Sequence, residues 1–235
     1  MKRIVASILA LGLLLALAGC RGNSTAAEEQ TTEHQTAEAL VTSYTALNEN
    51  QRFPLINLEF PEALRINAEV RAYYDRIVPE GDEYEACDFF CALHGGVLSL
   101  IFCRSYDGYS MYQTYHMNTR TGGPVTNREL LELAGWAQEA LLENLRGKIE
   151  RFYRGTENLP EGFPHAEYRA KAHQALEDIE TLRLYLSGSG RLFWVAELAS
   201  MGGAAAREIL IDPAQPDEWY TPESQKLNGH WEMLG

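Results

Sequence analysis

Basic side chains are scarce in this chain. Twenty Lys and Arg stand against 33 Asp and Glu, a net charge of −13. That deficit argues against nucleic acid as a partner, because phosphates would be repelled. Signatures of covalent catalysis are missing too: there is no Gly-x-Ser-x-Gly, no His-Glu-x-x-His and no reactive-cysteine motif around any of the four cysteines. The glycine pairs Gly188/Gly190 and Gly202/Gly203 lack the following helix that a phosphate cradle needs. No internal repeat is present. The apolar stretch at the start of the chain is too short and too promptly terminated to be a membrane span.

That stretch has a different meaning. Lys2 and Arg3 form a positive start, an apolar segment follows, and it closes on Leu17-Ala18-Gly19-Cys20. This resembles the lipobox of bacterial lipoproteins. The resemblance implies cleavage before Cys20 and lipidation of its sulfur, with palmitate-type acyl chains burying roughly 0.8 kcal/mol per methylene in the membrane. The residue after the cysteine is Arg21 rather than Asp, so no inner-membrane retention signal is implied. Loss of residues 1–19 removes Lys2 and Arg3, leaving 216 residues and a charge of −15. Such acidity serves solubility, or steers a cationic partner. Residues 20–39, rich in Ser, Thr, Glu and Gln, read as a flexible tether. Residues 40–212 suit one domain of ordinary size, and 213–235 form a C-terminal tail.

Within the domain, hydrophobic period separates strands from helices. Residues 41–46 and 53–58 read as strands around the Asn48-Glu49-Asn50 turn. Pro61 opens a helix with Ile66, Val70, Tyr73, Tyr74 and Ile77 on one stripe, and Pro79 and Gly81 end it. Residues 84–93 and 97–104 form a hairpin around His94-Gly95-Gly96, and 109–117 form a third strand. Thr126-x-x-Glu129 is a capping box. Helices follow with Ala137, Leu141, Leu145, Ile149 and Phe152 on one face, then Tyr168, Ala172, Ala175, Leu176 and Ile179 on another. Strands return at 181–186, 191–198 and 208–211. Hairpins and helices in blocks predict an α+β fold, a largely antiparallel sheet packed by about three helices.

This order of elements carries a second resemblance. FPLINL, a helix containing Ile66-Asn67, VLSLIFCRSYDG, YHMNTRTGGPVTNRELLEL and a late LRLYLSGSGRLFWVAELASMGGAAAREILI succeed one another. The series resembles the RsiV-like extracytoplasmic domain shared by lysozyme-sensing anti-sigma factors and bacterial lipoproteins. Its most recognisable part is Asn118, Thr121, Gly122, Thr126 and Leu130. The resemblance implies a non-catalytic binding or sensing module with no cofactor, for a lysozyme-like protein or a peptidoglycan component. The family's Gly-Ala-His step is replaced here by Tyr109-Ser110-Met111, so no role passes to that histidine. The alternatives are a peptidoglycan-modifying envelope enzyme and a structural envelope protein.

Three cysteines and a histidine cluster in EACDFFCALHGGVLSLIFC. Cys87, Cys91, His94 and Cys103 are the ligand types of a zinc site, but residues 87 and 91 on one strand lie roughly 13 Å apart, so no metal is expected. A three-residue loop pairing Leu93 with Val97 would place Cys87 opposite Cys103, within reach of a disulfide; a slip of one residue would abolish the pair. Free buried thiols are the alternative. His165 and His173 read as surface residues, and Asp178/Glu180 as ordinary acidic positions. Tyr106, Tyr109, Tyr112 and Tyr115 suit either a protein-binding surface or the core, with Tyr109 and Tyr115 on one strand face and Tyr112 on the other.

Overall fold

Near Ala37 the chain leaves the acidic segment and begins to bury side chains. In the computed structural model, a single helical turn, α1 (Ala37–Leu40), already places Ala37 and Leu40 in a core. The structure describes residues 36–81, 85–106, 109–154, 164–199, 206–215 and 219–220, and all of them lie in one unit spanning Gln35–Gly235. The domain therefore starts slightly inside the expected tether. The expected signal peptide, Cys20, the 155–163 loop, Gly202/Gly203 and most of the tail lie outside the described residues.

β1 (Val41–Thr45) and β2 (Arg52–Ile56) pair antiparallel. Asn48 turns the chain between them, its Oδ1 accepting from the Asn50 N–H, the Asx geometry that favours such turns. α2 (Pro61–Glu80) begins on a proline whose missing N–H would have had no helical partner. It buries Ala63, Ile66, Val70 and Ile77 and ends at Gly81, which adopts the left-handed conformation (φ 65°). Asn67 ties the helix to the ribbon: its side chain accepts from the Ile56 N–H at 2.8 Å and donates to the Ile56 carbonyl at 2.9 Å.

The next three strands form an antiparallel sheet in sequence order: β3 (Ala86–His94), β4 (Val97–Tyr106) and β5 (Tyr109–Asn118). Every residue from 97 to 103 is buried, because both faces of the sheet are covered. One face carries Cys87, Leu98, Leu100, Phe102, Tyr115 and Met117 and packs under α2 and the β1–β2 ribbon. Phe53 joins the two layers, with its ring centroid 5.5 Å from Phe102 and 5.6 Å from Tyr44.

After the 118–124 turn, Thr126 and Glu129 form the expected capping box at the start of α3 (Asn127–Leu133). α4 (Gln138–Phe152) and α5 (His165–Ala175) follow. A 3-10 turn (Ile179–Thr181) then leads into a second antiparallel sheet: β6 (Arg183–Leu186), β7 (Leu192–Ala199), β8 (Ala206–Ile211) and β9 (Trp219–Tyr220). β9 lies beyond residue 212, so the fold reaches into the expected tail.

Alternation along β6–β8 decides the layering. Tyr185, Phe193, Val195 and Leu210 turn toward the first sheet and meet Ala92, Ile101, Cys103 and Tyr112. Leu184, Leu186, Leu192, Trp194, Ala196, Leu198, Ile209 and Ile211 turn the other way, onto Leu130, Leu131, Leu141, Leu145 and Ile149 of α3 and α4. The result is an α+β domain with two antiparallel sheets face to face and helices on each outer side. The expected α+β class and antiparallel pairing hold, and the strands divide among three sheets: the two-stranded β1–β2 ribbon, β3–β5 and β6–β9.

The hairpin register differs from expectation by one residue. His94 pairs with Val97, leaving a two-residue Gly95-Gly96 turn with φ of 58° and 81°. Two successive positive φ angles make the type I′ geometry, which matches strand twist and suits glycine. Cys103 consequently faces Asp88, and Cys87 faces Arg104. The two thiols project from opposite faces of the sheet. In this register Cys87 and Cys103 are not opposed, and the candidate disulfide Cys87–Cys103 is not formed.

Candidate functional site

The thiols are poor candidates for chemistry. Burial pushes Cys87 up to about 12 and Cys91 up to about 11, so neither supplies thiolate near neutral pH. His94 lies on the opposite strand face from Cys87 and Cys91. Its Nδ1 meets the Gly188 carbonyl at 3.1 Å, and its ring rests on Gly190, where an added Cβ would come within 2.9 Å of it. Gly188 and Gly190 thus dock the two hairpin turns against each other. Among the described residues, no group of three or more His, Cys, Asp or Glu is placed to hold a metal.

The tyrosines divide between core and surface. Tyr112 and Tyr115 are buried on opposite faces of β5, and Tyr106 is exposed. His165 is buried beside Tyr153, at 6.2 Å between ring centroids, contrary to the expected surface position. His173 is partly exposed and meets Glu150 Oε1 at 2.6 Å. Arg169 joins the same carboxylate, and Arg169 followed by His173 holds Glu150 below the usual carboxylate range. This cluster pins α5 to α4. Asp178 caps the 3-10 turn by accepting from the Glu180 N–H, and Glu180 accepts from the Asn127 N–H. Both are structural.

Two polar arrangements emerge that the sequence reading did not single out. His116 Nε2 lies 2.8 Å from the Leu184 carbonyl, and its Nδ1 lies 3.0 Å from Ser99 Oγ. A carbonyl can only accept, so Nε2 carries the proton and Nδ1 accepts from the serine hydroxyl. Burial pushes this histidine down to about 4. Ser99 is wholly buried, so the pair links the sheets rather than serving as a nucleophile and base.

The other arrangement is open to solvent. β6 begins opposite Val195, so β7 runs on to Ala199 past the end of its neighbour. Between that free edge, α5 and the 3-10 turn lies a cleft of about 140 Å³. Ala172, Ala175, Leu182 and Trp194 form its apolar wall, with Lys171 on the α5 side and Glu197 on the β7 side. Glu197 is the exposed residue in an otherwise buried strand. Lys171 pairs with Glu167 at 2.8 Å and lies 5.1 Å from the Tyr168 ring centroid. Its ammonium is raised by the Glu167 hydrogen bond first, with Glu197 contributing across the cleft.

Arg183 also lines the cleft and pairs with Glu208. Arg183 Nη1 donates to Glu208 Oε1 and to the Tyr112 carbonyl, and the Tyr112 N–H donates to Glu208 Oε2 at 2.6 Å. The pair therefore caps both backbone groups of Tyr112 on the outer edge of β5, where strand edges otherwise invite further pairing. A lone carboxylate within LFWVAELA was the sequence signal for Glu197. Nothing in local sequence marks Lys171 as its counterpart 26 positions earlier. No family model, curated protein or solved structure matches this chain.

Proposed function

We propose that this chain is a lipid-anchored protein on the extracytoplasmic side of a bacterial membrane, working as a non-catalytic binding or sensing module. The observation that carries the binding reading is the solvent-open cleft: an apolar wall with opposite charges, Lys171 and Glu197, at its sides. Pockets of this make-up fix a ligand by a few placed polar groups on an apolar surface. The anchor is read from Leu17-Ala18-Gly19-Cys20, and the acidic segment after it serves as the tether. A peptidoglycan component is the partner class best suited to so small a cleft. The −15 charge of the cleaved chain favours a second partner, a cationic lysozyme-like protein, bound over a broader face.

Both partners are testable with one preparation. The protein should co-sediment with purified cell-wall sacculi, and calorimetric titration with lysozyme should give heat that weakens as salt is raised. A flat lysozyme titration at low salt would remove the protein partner. Failure to sediment with sacculi as well would remove the binding reading.

A further inference from the structure

We infer that the Lys171/Glu197 cleft binds a small zwitterionic amino acid about the size of alanine. This rests on the cleft being the binding site proposed above. A zwitterion needs an anion for its ammonium, a cation for its carboxylate and an apolar wall for its side chain, and the cleft supplies each from a different element.

Glu197 supplies the anion from an unusual position. It stands directly across the β7–β8 pair from Glu208, and like charges so placed destabilise a sheet. Arg183 and the Tyr112 N–H satisfy Glu208. Glu197 receives no hydrogen bond or ion pair among the described residues, and lines the cleft from the edge of β7. An incoming ammonium would relieve that repulsion.

Lys171 supplies the cation. Its pair with Glu167 is exposed on both sides, with side chains 55% and 63% accessible, so it is weak and readily exchanged for a ligand carboxylate. Lys171 and Glu197 both line the cleft yet form no ion pair with one another, which leaves room between them. The volume sets the size. A cavity of about 150 Å³ holds benzene, and this cleft is about 140 Å³, so an amino acid with a methyl side chain fits. The methyl group would lie against Ala172, Ala175 and Trp194.

The test is an NMR titration of the isotope-labelled full chain with L-alanine and D-alanine, alongside N-acetylalanine and alaninamide. At least one alanine enantiomer should give saturable shifts confined to α5, β6 and β7, with a Kd of about 1 mM, as befits exposed charges. N-acetylalanine lacks the ammonium and alaninamide the carboxylate, so each should bind at least about tenfold more weakly. Glu197→Gln and Lys171→Met should each weaken alanine about tenfold without lowering the melting temperature. Absence of saturable shifts would overturn the proposal, as would equal binding of N-acetylalanine or indifference to both substitutions. Such a failure beside intact binding to sacculi would refute the amino-acid assignment and leave the wider binding reading standing.

Discussion

Acid should loosen this domain through His116. The neutral imidazole donates from Nε2 to Leu184 and accepts from Ser99 at Nδ1. Protonation would force a second N–H against a hydroxyl now pointing toward it and place a charge between the two sheets. Burial holds the group near 4 in the folded protein, against an ordinary value of 6.5. Between those values the unfolded chain binds the proton and the folded chain does not. Stability from this group is thus complete above pH 6.5 and is lost progressively as pH falls toward 4. At about 1.36 kcal/mol per pH unit the full gap is worth about 3 kcal/mol. The ring keeps some contact with solvent, so about 2–3 kcal/mol is expected. Urea unfolding at steps from pH 7.5 to 4 measures it. His116→Gln should be less stable at pH 7 by about 1–3 kcal/mol through its imperfect hydrogen bonds, and should lose less than the parent on acidification, so the two curves converge. Parallel curves over this range would refute the assignment of a neutral, buried His116.

The other expectations concern packing and covalent state. Gly122→Ala should destabilise by more than about 2 kcal/mol in thermal unfolding, because φ is 72° and an added Cβ would sit 2.3 Å from the Phe60 ring; a neutral result would contradict the docking of that turn on α2. Leu145→Ala, fully buried between α4 and the second sheet, should cost about 2–5 kcal/mol in urea unfolding. Thr126→Ala removes one half of the capping box and should cost about 0.5–2 kcal/mol. A thiol titration of the unfolded chain carrying Cys20→Ser should find Cys87, Cys91 and Cys103 all reactive without reductant; one reactive thiol would restore the disulfide.

Local chemistry made much of this fold legible. The Pro61 start, the Gly81 stop and the Thr126/Glu129 box sit where the sequence placed them, because each acts within a few residues of itself. The strands were legible for the same reason, through their period. Register was not. Gly95-Gly96 and His94-Gly95-Gly96 are both plausible loops, and the choice between them moves Cys103 from one partner to another. The division of the strands into separate sheets was equally hidden, since a largely apolar strand such as β4 says that both faces are covered without saying by what. The cleft depends on a strand that outruns its neighbour, on an α5 lysine and on a β7 carboxylate. The Ser99–His116–Leu184 chain likewise joins residues 68 positions apart. Such pairings follow from topology, which no short window of residues encodes.

The central claim is a binding domain held at a membrane by one lipidated cysteine. Intact-mass spectrometry of the protein extracted from bacterial membranes tests it most directly. The account predicts a chain that begins at Cys20, lacks residues 1–19 and carries the added mass of acyl groups on that cysteine. A chain retaining its first residues, or one beginning elsewhere with an unmodified Cys20, would contradict it.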